Sequence, residues 1–116
     1  MTAVQAYDPV VPTAHASAAV WINGRTALLA TMSSDGRISR CEINRALEAE
    51  PAYLALVVRA IGDRERVVIL GPSSARLALE REYVALFRRP DRLVDVEPAG
   101  PIDPEELVDR LRAFAA

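Results

Sequence analysis

Asn23-Gly24 constrains the fold of this chain more than any other feature, because an apolar stretch over 16–22 meets another over 26–33 across it. Asn-Gly favours φ > 0, which a tight type I′ hairpin turn needs, so the two stretches are expected to pair antiparallel. In the second, Leu28, Ala30 and Met32 alternate with Ala27 and Leu29, so both faces are apolar and the strand belongs within a sheet. A turn at Asp35-Gly36 then leads into residues 37–43, from Arg37 to Ile43. There Arg40 and Glu42 share one face and Cys41 and Ile43 the other, the half-polar pattern of an edge strand.

Downstream the periodicity changes. Pro51 opens a helix in which Leu54, Val57, Val58 and Ile61 recur at helical spacing, and Gly62 closes it. The run 66–70 is short and apolar, as in a buried strand, and Gly71 is expected to let the chain turn sharply after it. Ser73 and Ser74 can cap a long helix whose stripe is Leu79, Tyr83, Leu86 and Phe87, ended by Pro90. Residues 93–96 form a further short strand before the loop at Pro98, Gly100 and Pro101. Asp103, Pro104 and Glu106 then have the spacing of a capped helix start, with Leu107, Val108, Leu111 and Phe114 as its apolar face. Three meandering strands followed by helix, strand, helix, strand, helix predict the α/β class: a five-stranded mixed sheet with helices on both faces.

The chain has 116 residues, enough for one core, and we expect a single domain over 15–116 behind an extended or mobile leader, 1–14, that contains Pro9 and Pro12. With 51% hydrophobic and 26% charged residues, it has the composition of a globular protein. Cys41 is the only cysteine, which excludes an intrachain disulfide and a Cys-rich metal knuckle and fits a reducing compartment. The leader has no Lys or Arg and so lacks the layout of a signal peptide, and no apolar run is long enough to span a membrane. A cytoplasmic protein is expected, with no membrane partner.

The formal charge of −2 argues against bulk electrostatic coating of nucleic acid. Charge is unevenly spread, however: 1–90 hold eleven Arg against nine acids and 91–116 three Arg against seven, about +2 and −4. A local basic face is compatible with that split. The exclusive use of Arg over Lys fits a GC-rich genome.

Few residues suggest chemistry. His15 is the only histidine, and no motif supplies the orienting acid and nucleophile of a triad. Cys41 reads as a small buried cysteine. Asp103, Glu105, Glu106 and Asp109 sit where acids stabilise a helix start and match no Ca²⁺ loop, so no metal is expected. The turn 71–76, with Ser73, Ser74 and Arg76, could present backbone amides and a positive helix end to an anion, although it lacks the Lys and glycine spacing of a phosphate-binding loop. Arg88, Arg89 and Arg92 form a basic cluster at the far end of the same helix, where they also complement its dipole. The element order is that of ribonuclease H-like folds, but the first strand has no acid to serve as the central ligand of a two-metal nuclease.

Three segments are also familiar together: His15-Ala16 with Ala19-Val20-Trp21-Ile22-Asn23; Val67-Val68-Ile69-Leu70-Gly71-Pro72-Ser73-Ser74-Ala75-Arg76; and Leu93-Val94-Asp95-Val96-Glu97-Pro98-Ala99. They resemble short bacterial translational-machinery proteins related to the middle domain of archaeal and eukaryotic peptide-chain release factors. The resemblance implies a ribonuclease H-like fold and binding rather than catalysis. Release factors hydrolyse peptidyl-tRNA with a Gly-Gly-Gln loop; that tripeptide is absent here, and the connection 44–51 is shorter than in many relatives.

The leading expectation is therefore a non-enzymatic, ribosome- or RNA-associated factor, with rescue or dormancy as its setting. It needs no cofactor or catalytic residue, and its candidate phosphate contacts are Ser73, Ser74, Arg76, Arg88, Arg89 and Arg92. The alternative is a protein-interaction or self-associating module with no nucleic-acid role, docking through the edge strand from Arg37 to Ile43. An enzyme whose site carries no motif is a third class.

Overall fold

The computed structural model describes residues 16–115, so the leader and His15 lie outside the described residues. In chain order the elements are β1 (Ser17–Ile22), β2 (Thr26–Met32), β3 (Ile38–Asn44), α1 (Glu50–Ile61), β4 (Arg66–Gly71), α2 (Ala75–Phe87), a 3₁₀ turn (Pro90–Arg92), β5 (Leu93–Pro98) and α3 (Pro104–Ala115). They form one sheet in the order β3-β2-β1-β4-β5. The first three strands are an antiparallel meander, and β4 and β5 add in parallel beyond β1. This is the mixed five-stranded α/β sheet that the element order predicts.

Strand β1 lies at the centre, and all six of its residues are buried. Its alternation divides two cores. Ala18, Val20 and Ile22 pack with Tyr53, Leu54, Val57, Val58 and Ile61 of α1 and with Leu79 and Tyr83 of α2. Ala19 and Trp21 face Leu107, Val108, Leu111 and Ala115 of α3. Two helices thus cover one face and one covers the other. The Trp21 indole N–H donates to Gly100 O at 2.8 Å and anchors the loop that delivers α3. The predicted capping box starts that helix: Glu106 N–H donates to Asp103 Oδ1 at 2.9 Å, and Asp103 N–H to Glu106 Oε1 at 3.1 Å.

Several local expectations are corrected. The β1–β2 hairpin forms, but its turn is not type I′: Asn23 N–H donates to Thr26 O at 3.0 Å, placing Gly24 and Arg25 at the centre, and neither has φ > 0. The Asn23 side chain is the reason, since its Oδ1 accepts from the amides of Arg25 and Thr26, both at 2.8 Å, and so builds the turn itself. Gly71 lies within β4 without a positive φ; it is small because a Cβ there would overlap the Ile22 carbonyl oxygen. Leu86 does not join the α2 stripe and is 60% exposed, because the helix packs through Leu79, Tyr83 and the half-buried Phe87. Cys41 is exposed, because β3 is the last strand of the sheet among the described residues and the α1 and α2 core ends at Ile43. Strand β5 extends to Pro98, two residues beyond its expected end.

Candidate functional site

The six predicted contact residues fall at opposite ends of α2. A helix of 13 residues is about 20 Å long, so Ser73, Ser74 and Arg76 cannot share one ligand phosphate with Arg88, Arg89 and Arg92.

At the first end, hydrogen bonds within the turn engage the amides of Ala75, Arg76, Leu77 and Ala78 and the Arg76 guanidinium. Ser73 Oγ accepts from Ala75 N at 3.3 Å, and Ser73 O accepts from Arg76 N at 3.4 Å. The Ser74 carbonyl takes the amides of Leu77 and Ala78, both at 3.0 Å. Ser74 occupies the cap position in helical conformation and makes no side-chain cap, so capping falls to Ser73. The Arg76 guanidinium folds back, with Nη1 donating to Ser73 O at 2.8 Å and to Gly71 O at 3.3 Å.

The second end is assembled from three segments. Tyr83 OH donates to Gly62 O at 2.9 Å and accepts from Arg64 N at 3.3 Å, fixing the α1–β4 connection to α2. Asp63 on that connection pairs with Arg92, whose side chain is only 17% exposed, so Arg92 serves as an internal clamp. Arg89 Nε and Nη2 bind the two Asp91 carboxylate oxygens at 3.0 and 2.9 Å and hold that carboxyl below its usual range. Both partners are exposed, and salt screens such a pair strongly. Arg66, at the start of β4, completes a hollow of about 450 Å³ lined by Glu65, Arg66, Arg89, Asp91 and Arg92. Arg88 follows α2 in left-handed conformation, φ 58°, with its side chain exposed.

Among the described residues, the side chains of Arg66 and Arg88 make no hydrogen bond or ion pair, whereas those of Arg76, Arg89 and Arg92 do. Sequence reading missed Arg66. Parallel strands start at the same end of a sheet, so the first residue of one predicted parallel strand, Arg66, belongs beside Arg92, which leads into the next.

Other candidates are accounted for by structure. Glu105 binds Arg40 at 2.6 Å, and Asp103 and Glu106 cap α3. Among the described residues no group of three or more His, Cys, Asp or Glu is placed to hold a metal ion. Desolvation pushes the Cys41 thiol up, the reverse of nucleophile activation. No helix among these residues is long and apolar enough to cross a membrane.

No family model matches the sequence, and no curated protein matches it. Solved structures do match. The Pelota protein of Archaeoglobus fulgidus is similar at a TM-score of 0.64 and 10% identity, covering 86% of this chain and 31% of that one. The Pelota protein of Thermoplasma acidophilum is similar at a TM-score of 0.62 and 22% identity, covering 88% and 33%. This chain spans about a third of the length of those proteins, so the likeness is to the fold of one part of them.

Proposed function

We propose that this chain is a binding domain of release-factor type that docks on the ribosome or on structured RNA and catalyses no reaction. The observation that carries this reading is the fold likeness, which takes in nearly all of this chain but only a third of each Pelota protein. It fits the resemblance of the three sequence segments to the middle domain of release factors. The sheet order β3-β2-β1-β4-β5, an antiparallel meander with two parallel strands added, fits a ribonuclease H-like classification. Ribosome rescue or dormancy is the setting in which such a domain without Gly-Gly-Gln would act.

The contact surface in this reading is the second end of α2, where Arg66 and Arg88 are unpaired among the described residues and Arg89 is held only by exposed Asp91. Co-sedimentation with ribosomes and separated subunits at low and near-physiological salt tests the reading. Retention is expected at both salts, and R66E/R88E/R89E is expected to weaken it by about tenfold or more. A wild-type chain that stays in the supernatant at both salts would sink the proposal. S73A/S74A and R76E, assayed separately, report on the first end; loss confined to them would move the surface there.

A further inference from the structure

We propose that β3 pairs antiparallel with β3 of a second copy, across a two-fold axis through Cys41, joining the two sheets edge to edge. This rests on the edge itself and is independent of the ribosomal reading. Among the described residues, strand β3 is the last in the sheet, and Ser39, Arg40, Cys41 and Glu42 within it are exposed.

The register follows from which backbone groups are free. Arg45 N–H donates to Arg25 O at 2.7 Å, and Ser33 N–H to Arg37 O at 2.9 Å, so residues 37 and 45 turn their amides and carbonyls toward β2. Antiparallel pairing alternates, so 39, 41 and 43 do the same, while Ile38, Arg40, Glu42 and Asn44 present theirs to the open edge. In an antiparallel self-pairing, hydrogen-bonded positions must match hydrogen-bonded positions. Centring on Cys41, the midpoint of Ile38–Asn44, sets Ile38 against Asn44 and Arg40 against Glu42 of the second copy, each twice, and engages the whole strand.

Charge selects the same register. With Cys41 at the axis, Arg40, which already pairs with Glu105 of its own chain at 2.6 Å, faces Glu42 of the second copy in both symmetric pairs, so the cross-strand contact adds a second carboxylate to an existing ion pair. Shifting by one hydrogen-bonded step in either direction sets Arg40 against Arg40 or Glu42 against Glu42. Charged side chains normally guard an edge against pairing. Here the guard is complementary to its own copy. Arg37 then faces Arg45 at the strand ends, where the Arg45 guanidinium is already engaged by Glu48 O at 2.8 Å and Gly24 O at 3.3 Å. The opposite edge offers no such match: β5 carries Asp95 and Glu97 with no basic residue, and it ends in Pro98, which has no N–H.

Strand pairing alone buries less surface than a stable dimer usually needs, so the association is of the weak, concentration-dependent class. Sedimentation equilibrium of the full chain under reducing conditions tests it, with circular dichroism confirming that each variant is folded. The wild type is expected to dimerise reversibly. R40E and E42R, which each create like-charge pairs, are expected to weaken dimerisation by about tenfold or more. An equimolar mixture of R40E and E42R is expected to associate again, because each supplies the charges the other lacks. Cys41 forms a non-hydrogen-bonded pair with its copy at about 4.5 Å between Cα atoms, within disulfide range, so mild oxidation of the wild type should give a dimer linked through Cys41. A wild type that stays monomeric at its solubility limit would overturn the proposal. So would a dimer insensitive to R40E and E42R, or a mixture that fails to associate.

Discussion

Gly71 and Tyr53 show how single side chains are fixed by the closest neighbour they must accommodate. Gly71 lets β4 approach β1 where the Ile22 carbonyl oxygen leaves no room for a Cβ. G71A is therefore expected to destabilise the protein by about 3 kcal/mol in urea unfolding, since the clash is with backbone and no rotamer relieves it. Tyr53 is buried under the β1–β2 hairpin, with its hydroxyl donating to Asn23 O at 3.1 Å. Burial pushes its phenol up from 10.0 to about 12. Because the folded state retains a proton that the unfolded chain releases, the stability contributed by this phenol is complete below about pH 10 and is lost as pH rises toward 12. Alkaline unfolding monitored by tyrosinate absorbance should show that descent, and Y53F should reduce it, leaving the part contributed by the Tyr83 phenol, which burial also pushes up. An unchanged profile in Y53F would contradict the assignment.

At the scale of elements, α3 is the helix whose start is most fully specified by local chemistry. Asp103 and Glu106 satisfy one another's amides, and Leu107, Val108 and Leu111 are buried against the face of the sheet that carries Trp21. D103A is expected to cost about 1 kcal/mol in urea unfolding, and a double-mutant cycle with E106A should return a favourable coupling. The start of α2 was less legible. Two serines precede it, and choosing between them required the backbone angles, which put Ser74 in helical conformation and leave the capping bond to Ser73. The α2 stripe was partly legible for a related reason: Leu79, Tyr83 and Phe87 face the core, whereas Leu86 lies on another side of the helix and stays exposed.

For the whole molecule, the proposed surface predicts how binding responds to salt. If Arg66, Arg88 and Arg89 contact phosphates, the logarithm of ribosome affinity should fall linearly with the logarithm of salt concentration, and each charge removed should reduce the slope by about 1. A slope unchanged in R66E/R88E/R89E would place the contacts elsewhere. The local sequence determined the strands, helices and their order, because apolar periodicity, prolines and capping residues act over a few residues each. It also marked β3 as an edge through the half-polar pattern of Arg40, Cys41, Glu42 and Ile43. It likewise set the predicted contact residues at two ends of one helix, whereas only the tertiary structure engaged Arg76 with its own turn and brought Arg66 beside Arg89 and Arg92. The exposure of Cys41 and the parity of the free backbone groups on β3 were likewise set by which strand lies next to which. The physical reason is that side chains distant in sequence meet through sheet order and strand direction, and these depend on burying both cores at once.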